Sequence, residues 1–595
     1  MIRYIAHTYN YRPLDVGKQE IRILSISPQR LDDQSPLQGH LQHVSLLHDN
    51  IEKIIPISYV WGSPNDKKKL LIDGLPLDIP ASADITLRHF VHYLNYGPGK
   101  DDTKELSKRP FWLDSVCINQ GDFGERAQQV RLMKDIYSDA ALTFIWLGED
   151  TDLTAELGAQ ALRNYYKRDD DVDDWTSSIL TVSWEERKAL STFFTSPWYE
   201  RTWTLQEAVL PSDVWFFKGL HAVDWAVINC FAPTRHLSLL LPGELGWTKE
   251  QEQGFHDAGM IFEIDLLGGK RIENRLPLTA HLKSTDPLDK VYGLLGMLET
   301  SIPDGVTVDY RLPAATVFAA ATRSAVARKE GIVILRETLI RVPPVVDLVG
   351  GKFPSWAVRC HWKRRYRQLI PSSCIKLPAI CHDNYGYVDV GDPNVIRVRG
   401  VSWGVIQHDP VQIVNNPTHC FPATSRRSVN ARSLRAIWDA AWSTTPQNEV
   451  ECLPERTWNV ITRGTVVMEY TRSNKAFKVM LDRRHESVAW EEPVPDDVIK
   501  DSAHPALEQI LEKGRERSFV VADSGLLGAA WHTVKGGDSI VMIFGCDIPL
   551  VLRPDGDRWV SIGDVYVYDA MAGEPVVELE KRGQLDEQMQ WFDIH

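Results

Sequence analysis

Between residues 20 and 210, short apolar runs alternate with segments of helical periodicity, and this alternation limits the possible folds more than any other feature of the chain. The runs over 21–26, 54–60, 111–116 and 143–147 are rich in β-branched and aromatic residues and bounded by turn formers, so they predict strands. Asp73-Gly74 stands between apolar triplets at 70–72 and 77–79 and predicts a hairpin. Leu87, Phe90, Val91 and Leu94 fall at i, i+3, i+4 and i+7, one face of a helix. Ala127, Val130, Met133 and Tyr137 make a second stripe. Ser183-Trp184-Glu185-Glu186 reads as a capping box opening a third helix that carries Leu190, Phe193 and Phe194. Strands and helices in alternation imply an α/β domain with a mostly parallel sheet covered on both faces.

This α/β domain is expected over 1–210. Residues 211–380 read as a mainly helical middle region, broken at Pro343-Pro344. Residues 381–595 are β-rich, with turns at Gly391-Asp392-Pro393-Asn394, Gly536-Gly537-Asp538 and Asp555-Gly556-Asp557, and a helical insert over about 430–515. The β-rich stretches on either side of the insert are expected to pair into one barrel or sandwich. The run at 169–174, five Asp in six residues, reads as a solvated loop, because a calcium loop needs ligands at alternating positions and a central Gly.

Composition removes several functions. With 66 Lys and Arg against 80 Asp and Glu, the net charge of −14 argues against nucleic-acid binding, which needs a basic face. The 8 Cys are scattered without a disulfide framework, and the N-terminus lacks the apolar core of a secretory signal. The longest apolar run, 539–552, is too short to span a bilayer and contains Asp547. The reading is a cytoplasmic protein with no membrane span.

Familiar catalytic motifs fail on inspection. Gly268-Gly269-Lys270 and Gly350-Gly351-Lys352 lack the upstream Gly of a phosphate-binding loop, and no His-Glu-x-x-His zinc helix occurs. Gly400-Val401-Ser402-Trp403-Gly404 matches a nucleophile-elbow pattern, but the β-like Val405-Ile406 follows where a helix is required, so a kinked strand is expected. Cys360-His361, Cys374, Cys381-His382 and His419-Cys420 have no compact zinc spacing, and no metal site is assigned.

Three segments remain. Ile57-Ser58-Tyr59-Val60-Trp61-Gly62 is a strand ending in an aromatic turn, and Phe111-Trp112-Leu113-Asp114-Ser115-Val116-Cys117-Ile118-Asn119-Gln120 leads on to Glu125-Arg126. The third is Arg201-Thr202-Trp203-Thr204-Leu205-Gln206-Glu207. In open α/β sheets ligands bind beyond the carboxyl ends of strands, which is where Trp61-Gly62 and Asn119-Gln120 would stand. Trp203 and Glu207, four apart, would share a helix face and offer a carboxylate beside an aromatic plate. Each residue also has a plain structural reading. Trp61, Trp112 and Trp203 would serve as core anchors, Asp114 as a cap, Glu125 as a dipole partner, Arg126 as a solvated side chain, and Glu207 as a salt-bridged helix residue.

In this order the three segments resemble the fungal heterokaryon-incompatibility (HET) domain. Gln129-Val130, Ile136-Tyr137 and Trp146-Leu147-Gly148 continue the likeness. Thr285-Asp286-Pro287-Leu288-Asp289-Lys290-Val291-Tyr292-Gly293-Leu294-Leu295-Gly296 and Pro354-Ser355-Trp356 resemble the extension common in such proteins. The resemblance implies non-self recognition and programmed death of fused cells, with an incompatible-allele or signalling protein as partner and self-association as a further expectation. It also implies a TIR-like, flavodoxin-like fold, since HET domains are similar to Toll/interleukin-receptor domains, some of which cleave NAD. Trp203-Thr204-Leu205-Gln206-Glu207 is similar to the TIR stretch around the catalytic Glu. By that likeness Glu207 would be catalytic and NAD the substrate, with no separate cofactor. Ser58, Tyr59, Trp61, Gly62, Asp114, Asn119, Gln120, Arg126 and Trp203 would bind it. The rival expectation is a signalling module without turnover.

Overall fold

The computed structural model describes residues 8–48, 53–97, 103–169, 183–231, 261, 269–299, 302–337, 353–359, 381, 383–412, 460, 517–568 and 570–595. Its first sheet has nine strands: β1 (Glu20–Ile26), β2 (Gln38–Ser45), β3 (Ile55–Ser58), β4 (Lys67–Ile72), β5 (Leu75–Pro80), β6 (Phe111–Trp112), β7 (Thr143–Trp146), β8 (Val214–Lys218) and β9 (His221–Asp224). They lie in the order β5-β4-β2-β1-β6-β3-β7-β8-β9. The centre, β6-β3-β7-β8, is parallel, while β1–β2, β1–β6, β4–β5 and β8–β9 are antiparallel. Every residue of β3, β6 and β7 is buried, as strands covered on both faces must be, and this explains their unbroken apolar runs. Asp73 (φ 50°) and Gly74 (φ 81°) make the predicted hairpin turn, with two successive left-handed residues.

The helices of this region are α1 (Ala81–Tyr96), α2 (Asp114–Cys117), α3 (Phe123–Asp139), α4 (Ala155–Asp169), α5 (Trp184–Ser191) and α6 (Thr204–Val209). The apolar face of α1 is the predicted one, and Phe90 packs 5.1 Å from Phe144 and 4.9 Å from Phe217 between ring centres. Both reciprocal bonds of the Ser183 capping box form. Two details differ from expectation. The buried stripe of α3 is Gln129, Leu132, Met133, Ile136 and Tyr137, not Ala127 and Val130. The helix turns that way because the Gln129 amide donates to the Glu20 carbonyl at 2.9 Å, so a polar residue holds a core position. The run over 111–116 is a strand for only two residues, after which Asp114 opens the helical turn α2.

The compact unit containing this sheet comprises Met1–Pro303, Thr307–Leu312 and His361–Arg364, so β8, β9 and several helices beyond residue 210 belong to it. Those helices are α7 (Trp225–Phe231), α8 (Ile272–Thr279) and α9 (Asp289–Leu295). Helix α9 packs closely on α6 through glycines. A Cβ at Gly293 would meet Thr202 Cγ2 at 2.9 Å, and one at Gly296 would meet Gln206 Oε1 at 2.5 Å.

The second unit, Asp304–Val306, Pro313–Cys360 and Arg365–His595, contains helix α10 (Ala314–Val326) and a further sheet. Its strands are β10 (Tyr387–Val388), β11 (Ile396–Val405), β12 (Val411–Gln412), β13 (Arg517–Val521), β14 (Leu527–Trp531), β15 (Ser539–Ile543), β16 (Leu550–Asp555), β17 (Arg558–Val567) and β18 (Met589–Ile594). The antiparallel path runs β10-β11-β15-β16-β17-β14-β13-β12, and a bridge from Ile406 to Ala522 joins the end of β11 to the end of β13. That bridge closes the strands into a barrel. The register of β11 shifts between Ser402 and Gly404, so the Gly-x-Ser-x-Gly match is a kinked strand, as expected. The helical insert predicted over about 430–515 lies outside the described residues apart from Val460. The same holds for Cys360, His361, Cys374, His382, His419 and Cys420, whereas Cys381 is a buried free thiol. Among the described residues no cluster of three His, Cys, Asp or Glu could hold a metal, and no helix is long and apolar enough to cross a membrane.

Candidate functional site

The C-terminal ends of β3 and β6 lie side by side, since Ile55 pairs with Phe111 and Pro56 with Trp112 in parallel register. The residues that follow them, Ser58–Trp61 and Asp114–Gln120, therefore leave the sheet at one edge, and α6 comes to the same edge. The bonds that hold Glu207 are long-range. Ser58 Oγ donates to Glu207 Oε2 in a short hydrogen bond and in turn accepts from Trp198 Nε1 at 2.6 Å. Glu207 is only 3% exposed and Ser58 1%. Oε1 of Glu207 accepts no hydrogen bond from the described residues. Burial pushes the Glu207 carboxyl from 4.5 up to about 7; Arg201 and the Ser58 bond pull it down, and Asp114 pushes it further up. A carboxyl poised near neutrality is the state a general acid or base needs.

Asp114 is the second carboxylate of the group. Trp61 Nε1 donates to its two oxygens at 3.0 and 3.2 Å, and the Ser115 amide donates to Oδ1 at 2.7 Å. Burial raises its pKa, and Arg201, Trp61 and Arg126 oppose that. Tyr59 OH donates to Ser115 Oγ at 2.6 Å, and the Tyr59 carbonyl accepts a short hydrogen bond from Arg201. Arg201 therefore acts electrostatically on both carboxylates while bonded to the backbone of β3's continuation. Gly62, at φ 70°, makes the chain turn after Trp61 in a conformation that favours glycine.

Of the ten residues singled out in the sequence, Ser58, Tyr59, Trp61, Asp114 and Glu207 are joined by these bonds and charges, with Gly62 adjoining. Gln120 supports the group by donating to the Asp114 carbonyl at 2.8 Å. Asn119 instead closes its own turn, accepting from the Gly121 amide, while its backbone amide donates to Glu125 at 2.7 Å. Arg126 and Trp203 meet elsewhere. The Arg126 guanidinium stacks 3.7 Å over the Tyr310 ring, and Trp203 lies beside Asp289 and lowers its pKa, so Trp203 and Glu207 share a turn but address different neighbours.

Several plain readings also hold. Trp112 is a fully buried core anchor, and Trp61 and Trp203 pack on the core while partly exposed. Glu125 is more than a dipole partner: it pairs with both Nη atoms of the fully buried Arg22, at 2.6 and 3.0 Å. Arg22 also donates to the carbonyls of Cys117 and Arg12, tying β1 and the residues before it to the turn that follows β6. Trp198, Arg201 and Ser115 were not singled out. The only local signal for Trp198 was Ser196-Pro197, which caps the short helix Pro197–Glu200.

Comparison with known proteins bears on both units. The family model described as heterokaryon incompatibility protein (HET) matches residues 55–207, from β3 to Glu207 itself, and the Het-6 beta-barrel domain model matches 470–585. Heterokaryon incompatibility protein 6, OR allele, of Neurospora crassa is 24% identical over 635 residues, covering 87% of this chain and 89% of that protein. Vegetative incompatibility protein HET-E-1 of Podospora anserina is 24% identical over 199 residues, 32% of this chain and 11% of that protein. No solved structure matches. Both family models match in order, and the Neurospora protein is similar along most of its length, which supports a fungal heterokaryon incompatibility protein with a HET domain followed by a Het-6 barrel.

Proposed function

We propose that this protein acts in fungal non-self recognition and that its HET domain kills fused cells by hydrolysing the nicotinamide–ribose bond of NAD, with Glu207 as the catalytic carboxylate. The observation that carries the reading is the meeting of Glu207, Ser58 and Asp114 beyond the ends of parallel strands, with Glu207 near neutrality and Oε1 open to a donor. Nicotinamide leaves a pyridinium centre as a neutral molecule, taking the bonding pair with it, so no general acid has to protonate it. Water then adds to the ribose cation and loses its proton, giving ADP-ribose. One ionised carboxylate suffices to orient the ribose hydroxyls and stabilise the cationic transition state. Ser58, held by Trp198, is a positioning residue that fixes the rotamer of Glu207. Trp61 does the same for Asp114. The TIR-like ancestry and the cytoplasmic site of action belong to this reading, as do an allelic or signalling partner and self-association.

The near-complete burial of Glu207 favours a second reading, in which the carboxyl is a structural group of a signalling module. Expressing the full chain in cells and following NAD and viability separates the two. The enzymatic reading predicts that NAD falls before viability and that Glu207→Gln abolishes both effects. Death with constant NAD, or undiminished NAD loss in the variant, overturns it.

A further inference from the structure

Arg126 was expected to contact substrate, yet it does not reach Glu207. Its Nη2 lies 3.7 Å from Asp286 Oδ2 and 3.8 Å from Asp289 Oδ2, beyond direct hydrogen-bond range, and its face is covered by Tyr310. Tyr310 OH donates to Asp289 Oδ1 at 2.7 Å, and Trp203 lies near enough to the same carboxylate to lower its pKa. Asp289 is buried and tightly held, whereas Arg126 and Asp286 keep 24% and 25% of their side chains exposed. Other cations of the unit have closer partners. Arg22 is bonded to Glu125, Arg201 to the Tyr59 carbonyl, Lys283 to Glu200 and Lys290 to the Ala280 carbonyl. Arg126 is thus a reachable cation stacked on Tyr310, whose ion pairs are loose, beside a partly exposed indole and within electrostatic range of Asp114.

We propose that Arg126 is the anion-binding residue for a diphosphate-containing ligand, and that the segment bearing Asp286 and Asp289 is a built-in acidic competitor that occupies it until such a ligand displaces the loose pairs. This rests on the reading of the unit as a site for NAD, and it adds a resting state. An incoming diphosphate meets Asp286 first, since Asp289 is the more deeply buried, so the charge on Asp286 sets how tightly the competitor holds. The Leu288 amide donates to Asp286 Oδ1 at 3.0 Å, and Asn at this position keeps that acceptor while losing the charge.

The test is calorimetric titration of the full chain with inorganic pyrophosphate and with ADP-ribose. Asp286→Asn should bind pyrophosphate about two- to fivefold more tightly than the wild type, the worth of one partly exposed ion pair. Arg126→Gln should lose the binding, and Arg126→Lys should keep most of it. Unchanged or weaker binding by Asp286→Asn, or equal binding by the wild type and Arg126→Gln, overturns the proposal. Assaying nicotinamide release in the same samples keeps the two ideas apart. Tightening without release supports the competitor and removes NAD hydrolysis, while release without tightening removes the competitor alone.

Discussion

Glu207→Gln makes an unusual demand: the variant should lose function and gain stability. Gln keeps an oxygen that can accept from Ser58 and removes the ionisable group. Burial sets the folded-state carboxyl at about 7, against 4.5 for the ordinary group. At about 1.4 kcal/mol per pH unit, carrying the ionised form costs the folded chain about 3 kcal/mol. The folded state binds more protons than the unfolded state between those two values. The stabilising contribution is therefore complete below pH 4.5 and is lost as pH rises through about 7. Asp289, pushed by burial up to about 6, and Asp114 titrate in the same direction, so the difference between two proteins is the informative quantity. Calorimetric unfolding of full-length wild type and Glu207→Gln from about pH 5 to about pH 8 should show the curves diverging, with the variant about 3 kcal/mol more stable at the alkaline end. Parallel curves would refute the argument that Glu207 is held near neutrality. Greater stability joined to lost activity is the trade-off expected where a strained charge serves chemistry.

Three further substitutions probe what holds the group together. Ser58→Ala leaves the buried Trp198 N–H without its acceptor and removes the bond that lowers the Glu207 pKa. It should cost about 1–3 kcal/mol in urea unfolding and move the pH midpoint of nicotinamide release upward. Gly293→Ala drives a methyl against Thr202, and Gly296→Ala drives one against the buried, hydrogen-bonded Gln206; each should cost about 1–3 kcal/mol. Paired unfolding curves compare them. Glu125→Gln leaves Arg22 buried and charged and should cost about 3–5 kcal/mol, with faster amide exchange across the Cys117–Asn119 backbone that the pair supports.

The parts of this fold legible in the sequence are those in which local pattern and final environment agree. β3, β7 and α1 were readable because strands buried on both faces and an amphipathic helix leave unambiguous periodicities. Hairpin and capping box were readable because specific side chains perform them. The α3 stripe was misread because Gln129 is buried by a bond to Glu20, 109 positions away, and no periodicity encodes that partner. The antiparallel flanks of the sheet come from β1, β2 and β9, of which β2 and β9 are too mixed in polarity to announce themselves. At the site, Ser58, Asp114 and Glu207 could be named from their segments. Their links to one another, to Trp198 and to Trp61 span from 53 to 149 positions and exist only in the fold. Arg126 shows the converse: helix position suggested a solvated side chain, but Tyr310 and two aspartates arrive from a segment beyond the HET match.

The central claim is that Glu207 works as a charge near a ribose and does more than fill the core. The most direct measurement is nicotinamide release from NAD by purified full-length protein, at concentrations high enough for self-association, alongside folded Glu207→Gln. The account predicts release by the wild type, with a rate rising through about pH 7 as the carboxyl ionises, and none by the variant. Equal release by the two proteins, or none by a wild type that still kills cells, would contradict it.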